Sequence, residues 1–380
     1  MEGVRILDKD KKFMQRALNL AAKAKGMTSP NPMVGAVIIK KGRIVAEDYH
    51  KKAGEPHAEA LTIIKAGDKA KDCTLYVTLE PCCHLDKRTP PCTKAIINSG
   101  IKKVFIAMKD PNPKVSGKGI EELKKHGIEV VSGMLEDKAK KLNEAYIKYI
   151  TTRTPFVILK TAMTLDGRIA TPEGQSKWIT GEKARKIVHQ MRSSVDAILT
   201  AVGTVKADNP EFTVRLWQKA KNPIRIVIDP DLKTPIDYKI FKTPPETIVV
   251  TKKQAIGKRQ KAIGQKRKTL IDRGIKIIEY EGNRVDLKWL MKRLGELGIS
   301  SVMIEGGSSL NAYALQDGIV DKVVFFIAPK IIGGKDSIPA IGGKTFRRLE
   351  DAYKLHDIEI KKVGDDLMVE GYVAHGSKPR

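Results

Sequence analysis

The chain has 380 residues, 41% apolar and 30% charged, a folded-protein balance that is too long for one ordinary core. No run of eighteen apolar residues occurs, so a membrane-spanning helix is excluded, and four cysteines are too few for a disulfide framework at this length. The formal net charge of +26 is spread over residues 1–150 (29 basic, 18 acidic) and 151–380 (41 basic, 26 acidic). A concentrated nucleic-acid-binding tail is therefore not expected, whereas a diffuse attraction for anions, phosphorylated small molecules among them, is.

In chain order, the polar and charged start, Met1-Glu2-Gly3-Val4-Arg5, reads without a signal peptide, so the expected location is cytoplasmic. Phe13, Ala17, Leu18, Leu20 and Ala21 recur at helical spacing over 10–25. Residues 34–39 and 44–46 read as a hairpin turning at Lys41-Gly42. A helix is expected from about His57, a strand over 74–79, and a short helix over 93–99 stopped by Gly100. Strands over 104–107 and 128–131 flank a helix over 121–126, and an amphipathic helix covers 136–150. Thr151-Thr152-Arg153-Thr154-Pro155 breaks the pattern and marks a domain boundary, giving domains of 1–150 and 151–380. The second half alternates again. Strands are expected near 156–162, 195–200, 224–228, 247–251, 301–305 and 321–327, helices near 181–192, 256–272, 286–297 and 308–316, and a hairpin over 354–374 around Gly364. Such alternation predicts mixed α/β sheets covered by helices in both domains. Over 252–276 ten Lys or Arg face one acid, Asp272. That run reads as a solvated helix face, with a phosphate-tracking surface as the alternative. The low aromatic content, 5%, argues against single-strand binding by base stacking.

The strongest chemical signal is His57-Ala58-Glu59 followed by Pro81-Cys82-Cys83-His84 and Pro90-Pro91-Cys92. One imidazole and two thiolates make a three-ligand zinc site with its fourth position left to water, which then loses a proton near neutral pH. Glu59, two residues past the histidine, points away from that ligand and suits a proton carrier. This H-x-E with a later P-C and a second Cys is the signature of zinc-dependent base deaminases. Cys82, directly after Pro81, fits the pattern, with Cys83 as the alternative ligand. Cys92 opens an apolar helix, where the dipole lowers a thiol pKa. Cys73, ahead of a strand, reads as a buried thiol. His84 is a conceivable fourth ligand of a purely structural zinc.

With these residues in view the sequence resembles the bifunctional riboflavin-biosynthesis deaminase–reductase family over about residues 10–372. The first-half matches are Pro30-Asn31-Pro32-Met33-Val34-Gly35-Ala36-Val37, His57-Ala58-Glu59, Thr78-Leu79-Glu80-Pro81-Cys82, Thr89-Pro90-Pro91-Cys92 and Asp110-Pro111-Asn112-Pro113. The resemblance implies a cytidine-deaminase-like three-layer α/β domain with zinc on His57, Cys82 and Cys92 and Glu59 as catalytic acid/base. Two departures occur. The loop between the cysteine ligands is one residue longer than usual, and Asp48 replaces a common Gly before Tyr49-His50. His50 is placed near the site as a substrate contact or a plain surface residue. Asn31 faces the pyrimidine or simply forms a turn between two prolines.

In the second half no G-x-G-x-x-G follows a strand. Glu305-Gly306-Gly307-Ser308-Ser309 and Ile332-Gly333-Gly334 are turns after strands, and the first leads into a helix whose N–H groups can hold a phosphate. The family resemblance lies in Phe156-Val157-Ile158-Leu159-Lys160, Thr164-Leu165-Asp166-Gly167-Arg168-Ile169-Ala170, Ser176-Lys177-Trp178-Ile179-Thr180, Val188-His189 and Gly203-Thr204-Val205-Lys206-Ala207-Asp208-Asn209-Pro210. It implies a dihydrofolate-reductase-like domain that uses NADPH to reduce a ribose to a ribityl chain. Cofactor contacts then fall on Ala162, Trp178, Thr204, Asp208, Gly306, Gly307, Ser308 and Ser309, and substrate contacts on Ser176, Arg192, Phe212, Arg215 and Glu305. Arg192 and Arg215 have the fork geometry for a 5′-phosphate, or else form surface ion pairs. Trp178 flanks the nicotinamide or is a core aromatic. Asp208 and Glu305 accept from sugar hydroxyls, Asp208 alternatively acting as a cap, and Lys160 steers an anion.

Taken together, the expectation is a two-step enzyme on one phosphorylated pyrimidine. Zinc-dependent deamination of a diaminopyrimidinone phosphoribosylamine precedes NADPH-dependent reduction of its ribosyl group. No nucleic-acid or membrane partner is expected, and a dimer or tetramer is. The competing readings are a nucleoside or tRNA base deaminase with an accessory domain, and a binding protein with structural zinc.

Overall fold

The computed structural model describes residues 7–84, 90–216, 220–242, 244–253, 260–343 and 348–374. It divides into two units, Met1–Arg153 and Thr154–Arg380. The first runs α1 (Asp8–Ala22), β1 (Gly35–Lys40), β2 (Arg43–Tyr49), α2 (Ala58–Ala66), β3 (Thr74–Leu79), α3 (Cys92–Asn98), β4 (Lys103–Met108), α4 (Lys118–Lys125), β5 (Glu129–Ser132), α5 (Glu136–Leu142) and α6 (Glu144–Thr152). Its five strands lie in the order β2-β1-β3-β4-β5; β1 is antiparallel to both β2 and β3, and the rest pair in parallel. Ala36–Ile39, Leu75–Leu79 and Val104–Met108 are buried without alternation. Strands of that kind need helices on both faces of the sheet. At Gly35 a Cβ would lie 2.1 Å from the Ala17 carbonyl oxygen, so α1 packs straight onto the β1 backbone.

In the first unit the C-terminal helix differs from the sequence expectation. The helix over 136–150 is two helices, broken at Asn143, whose φ of −109° and ψ of 23° leave the helical region. The buried Asn143 side-chain amide accepts from Met33 N (2.8 Å) and donates to Met33 O (3.0 Å), while the Asn143 backbone keeps its bonds to Ala139 O and from Ile147 N, so the chain kinks there without losing them.

The second unit runs β6 (Phe156–Thr164), β7 (Arg168–Ala170), α7 (Glu182–Ser194), β8 (Ala197–Ala201), α8 (Val202–Asp208), β9 (Ile224–Ile228), α9 (Lys239–Lys242), β10 (Thr247–Lys252), α10 (Gln260–Asp272), β11 (Lys276–Tyr280), α11 (Leu287–Glu296), β12 (Ser301–Ile304), α12 (Ser308–Gln316), β13 (Lys322–Ala328), β14 (Ile338–Pro339), β15 (Leu355–Val363) and β16 (Asp366–Val373). Nine of these strands form one sheet, β11-β10-β9-β8-β12-β6-β13-β16-β15, parallel from β11 to β13 and closed by the antiparallel hairpin β15–β16. α11 begins where Asp286 accepts from Lys288 N and Trp289 N. β7, α8, α9, β11 and β14 were not expected from the pattern.

The basic run 252–276 spans the end of β10, α10 and the start of β11; residues 254–259 lie outside the described residues. Among the described residues of the run, Lys253 pairs with Glu281, Arg267 with Glu279 and Lys276 with Glu246, all acids from outside it. Among the described residues no helix is long and apolar enough to cross a membrane.

Candidate functional site

Three separate segments of the first unit bring His57, Cys82 and Cys92 together. His57 is the extended N-cap of α2, Cys82 follows the end of β3 by three residues, and Cys92 opens α3. His57 Nδ1 lies 3.5 Å from Cys82 Sγ and 3.3 Å from Cys92 Sγ, and the three ligating atoms are all within 4.8 Å of one another. Metal bonds of about 2.0–2.3 Å meeting near the tetrahedral angle hold nitrogen and sulfur roughly 3.5 Å apart, so the spacing fits a zinc ion. The Cys92 N–H points at Cys82 Sγ (3.4 Å). Cys83 and His84 are not part of this cluster, and burial raises the Cys83 thiol pKa. Cys73 is a buried thiol bonded to the Lys69 carbonyl, at the start of β3.

Glu59 sits in the first turn of α2, 3% exposed, and its Oε2 has no hydrogen-bond partner among the described residues. Burial pushes its carboxyl upward, with the Cys82 sulfur adding to the shift and His57 opposing it. An orphaned buried carboxylate oxygen beside three converging ligands suits a proton carrier and is out of place in a purely structural metal site. His50 lies edge-on to His57, ring centroids 5.4 Å apart, with Nδ1 3.2 Å from the Pro56 carbonyl. It is buried, so the surface alternative does not describe it. Asp48, in the place of a glycine, is buried and answered by Lys65 at 2.8 Å. The Asn31 N–H closes a turn onto the Thr28 carbonyl.

Glu80 had no assigned role in the sequence, although it lies within Thr78-Leu79-Glu80-Pro81-Cys82. Its buried carboxylate accepts four backbone N–H groups. Oε2 takes those of Asp110 (3.1 Å) and Gly117 (2.9 Å), and Oε1 those of Gly119 (3.0 Å) and Ile120 (3.2 Å). The corner that carries Cys82 is thereby tied to the start of α4. Next in the network Asp110 accepts from Tyr146 Oη (2.8 Å) and Asn112 N (2.9 Å), and burial pushes its carboxyl up to about 6.

In the second unit the predicted residues form two groups at the carboxyl ends of neighbouring parallel strands. In the first, Glu305 follows β12 and receives a bidentate fork from Arg192 of α7 (Nε–Oε1 2.6 Å, Nη2–Oε2 2.9 Å) and Lys160 Nζ from β6 (2.9 Å). Burial works against the charged form of Glu305, but the two cations overcome it and hold the carboxyl well below the usual range. Arg192 is thus a buried partner of Glu305, neither a surface ion pair nor a free fork for phosphate. Its guanidinium also lies 5.5 Å from the centre of the Phe212 ring and 3.4 Å from the Thr213 carbonyl. Arg215 is exposed, with its backbone N–H 3.4 Å from His189 Nδ1 and Glu211 at 3.4 Å from its guanidinium.

The second group surrounds the start of α12. A Cβ on Gly307 would stand 3.5 Å from Thr204 Oγ1, so α8 faces the Gly306–Ser309 turn. Asp208, at the end of α8, meets Ser176 Oγ and Lys177 Nζ, each at 3.5 Å. Trp178 is 63% exposed beneath Arg185, 4.6 Å from its ring centre, and is not a core aromatic. Ala162 is half-buried on β6, paired with Phe326. The Ile332-Gly333-Gly334 turn is otherwise engaged: the Gly333 and Ile332 N–H groups bond to Asp166, which Thr164 also holds, at a pKa of about 2.

The zinc-binding region family of cytidine and deoxycytidylate deaminases matches residues 7–108, and the RibD C-terminal domain family matches residues 155–369. The riboflavin biosynthesis protein RibD of Aquifex aeolicus is 46% identical over 361 residues, covering 95% of this chain and 97% of that protein. The RibD of Escherichia coli is 40% identical, covering 94% and 98%. Among solved structures, Acinetobacter baumannii RibD superposes with a TM-score of 0.86 at 34% identity, covering 97% of this chain and all of that one. The diaminohydroxyphosphoribosylaminopyrimidine deaminase/5-amino-6-(5-phosphoribosylamino)uracil reductase of Thermotoga maritima does so at 0.82 and 38%, covering 96% and 98%.

Proposed function

The chain belongs to the family of the riboflavin biosynthesis protein RibD, bifunctional enzymes joining a zinc-binding deaminase domain to a reductase domain, and from that membership we propose how its residues divide the work. Residues 1–150 are the deaminase and 151–380 the reductase. The first removes an amine from the phosphoribosylated diaminopyrimidinone, and the second reduces the ribosyl group of the resulting aminouracil, the two reactions for which the Thermotoga relative is named.

In the deaminase, His57 Nδ1 and the Cys82 and Cys92 thiolates hold zinc. When bound, zinc supplies a Lewis acid that makes water a nucleophile near neutral pH. Glu59 Oε2 takes up a proton and passes it to the ring nitrogen, then takes up a second and passes it to the departing amine, a task its raised pKa suits. His50 orients the pyrimidine from beside His57, and Asn31 shapes the loop that covers it.

In the reductase, the turn Gly306, Gly307, Ser308 and Ser309, with Thr204, Asp208, Ala162 and Trp178, receives NADPH, which supplies hydride when bound. Ser176, Arg192, Phe212, Arg215 and Glu305 hold the substrate. Arg215, the exposed cation, meets the 5′-phosphate, while Arg192 and Lys160 fix the Glu305 carboxylate toward sugar hydroxyls. A cytoplasmic, homo-oligomeric enzyme completes this reading.

The observation that carries it is the convergence of one imidazole, two sulfurs and an unpartnered buried carboxylate oxygen at the helix starts of the first unit. A two-stage assay tests it. The diaminopyrimidinone phosphoribosylamine is supplied to zinc-loaded protein and ammonia is followed; NADPH is then added and its absorbance followed. Ammonia release followed by NADPH consumption is expected. NADPH loss with no prior ammonia from that substrate would refute the deaminase assignment.

A further inference from the structure

The kink at Asn143, between α5 and α6, places buried side chains against two loops of the first unit. The Asn143 amide engages both backbone groups of Met33, N–H and C=O, as a paired strand would. Met33 belongs to the 30–34 loop, whose next residue, Val34, accepts from the backbone N–H of His50 at 2.8 Å. One turn along α6, the Tyr146 hydroxyl donates to Asp110 Oδ1 at 2.8 Å, and the Asp110 N–H donates in turn to Glu80, two residues before Cys82. Asn143, Tyr146 and Asp110 are 2%, 9% and 5% exposed, so water does not compete for these bonds.

We propose that α6 braces the deaminase site, with Asn143 and Tyr146 as positioning residues that fix the 30–34 and 110–113 loops beside it. The hydrogen bonds that Asn143 and Tyr146 make here run to the two loops, and Tyr146 with Asp110 lies within electrostatic reach of Cys82. The metal ligands and Glu59 stand on α2, α3 and the corner after β3, which four backbone N–H groups hold through Glu80. Loosening the two loops therefore weakens the hold on substrate in ground state and transition state alike, which appears in KM and leaves kcat nearly intact.

The inference rests on the deaminase reading, and the two fail separately. Asn143→Ala and Tyr146→Phe are compared with wild type for ammonia release, zinc content and NADPH-dependent reduction of supplied aminouracil. The expected result for Asn143→Ala is a KM raised about tenfold, the scale of losing one or two buried hydrogen bonds, with kcat within about threefold and full zinc. Tyr146→Phe keeps the ring volume, and a KM increase of about threefold to tenfold is expected; it also decides the matter if Asn143→Ala does not fold. Unchanged KM in the folded variants overturns the brace, and so does a loss of zinc in step with activity, because it would mean the residues hold only the metal scaffold. Wild-type protein that releases no ammonia overturns the deaminase reading instead.

Discussion

At the residue scale, two buried carboxylates are shifted in opposite directions. Glu59 has burial pushing its pKa up and, among the described residues, an Oε2 without a hydrogen-bond partner, the features of the proposed proton carrier. Glu59→Gln keeps the shape and the ligand set but cannot accept a proton. Zinc content is expected to stay at the wild-type level by elemental analysis, while ammonia release falls about 10²–10⁴-fold. Undiminished ammonia release would show that another group moves the proton. Glu305 is the reverse case, an acid held ionised by Arg192 and Lys160 against the cost of burial. A depressed carboxyl contributes stability above its unfolded pKa, about 4.3, and that contribution is lost as pH falls through the folded value. The second unit is therefore expected to weaken on acidification below about pH 4. Glu305→Gln leaves two cations without a counter-charge and costs about 3–5 kcal/mol at pH 7, while flattening the acid response. Urea titration followed by loss of NADPH binding, at pH 7 and pH 3.5, reads both effects. Equal acid sensitivity in the two proteins would shift the response to other carboxylates, Asp166 first, since it is also held low.

At the element scale, the site depends on how closely a helix start meets a strand end. Gly119, in the first turn of α4, has no room for a side chain: its Cβ would stand 2.2 Å from the Pro81 carbonyl oxygen, beside the Glu80 carboxylate that the Gly119 N–H serves. Gly119→Ala must push the Glu80-Pro81-Cys82 corner away. A destabilisation of about 1–3 kcal/mol and a weaker hold on zinc are expected, read by competition with a chromophoric chelator. An unchanged zinc affinity would mean that the corner yields without moving Cys82. Much of this level was legible in the sequence, because a histidine before an apolar helix, a Pro-Cys after a β-branched strand and a Cys opening a helix are local patterns. Other parts were not. α8 contains Val202, Gly203, Thr204 and Val205, residues of poor helix propensity. β11 is a short edge strand with Lys276 and Glu279 breaking its apolar run. The Asn143 break follows from a partner 110 residues away, beyond the reach of any periodicity. Likewise Lys160, Arg192 and Glu305 were each legible as polar residues near strand or helix ends, but their triad required β6 to lie beside β12 in the sheet.

At the scale of the whole molecule, each unit has its own sheet, apolar core and site, and the positive charge is divided between them. Each therefore has the means to attract a phosphorylated ligand without relying on a basic tail. The same division fixes what metal removal does. The three side chains placed to hold a metal all come from the first unit, and among the described residues no other cluster of His, Cys, Asp and Glu is so placed. The His57–Cys82–Cys92 cluster borders an apolar core that includes Met14, Ile38, Leu75 and Ile106, so the first unit does not depend on the metal for burial of its interior. Treatment with a chelator is expected to bring ammonia release to background. Reduction of supplied aminouracil by NADPH is expected to persist within about twofold, and far-ultraviolet circular dichroism to stay near that of the loaded protein. Zinc added back restores ammonia release. Loss of folded signal on chelation would mark the metal as a structural staple, and parallel loss of both activities would show that the second unit depends on the metal held by the first.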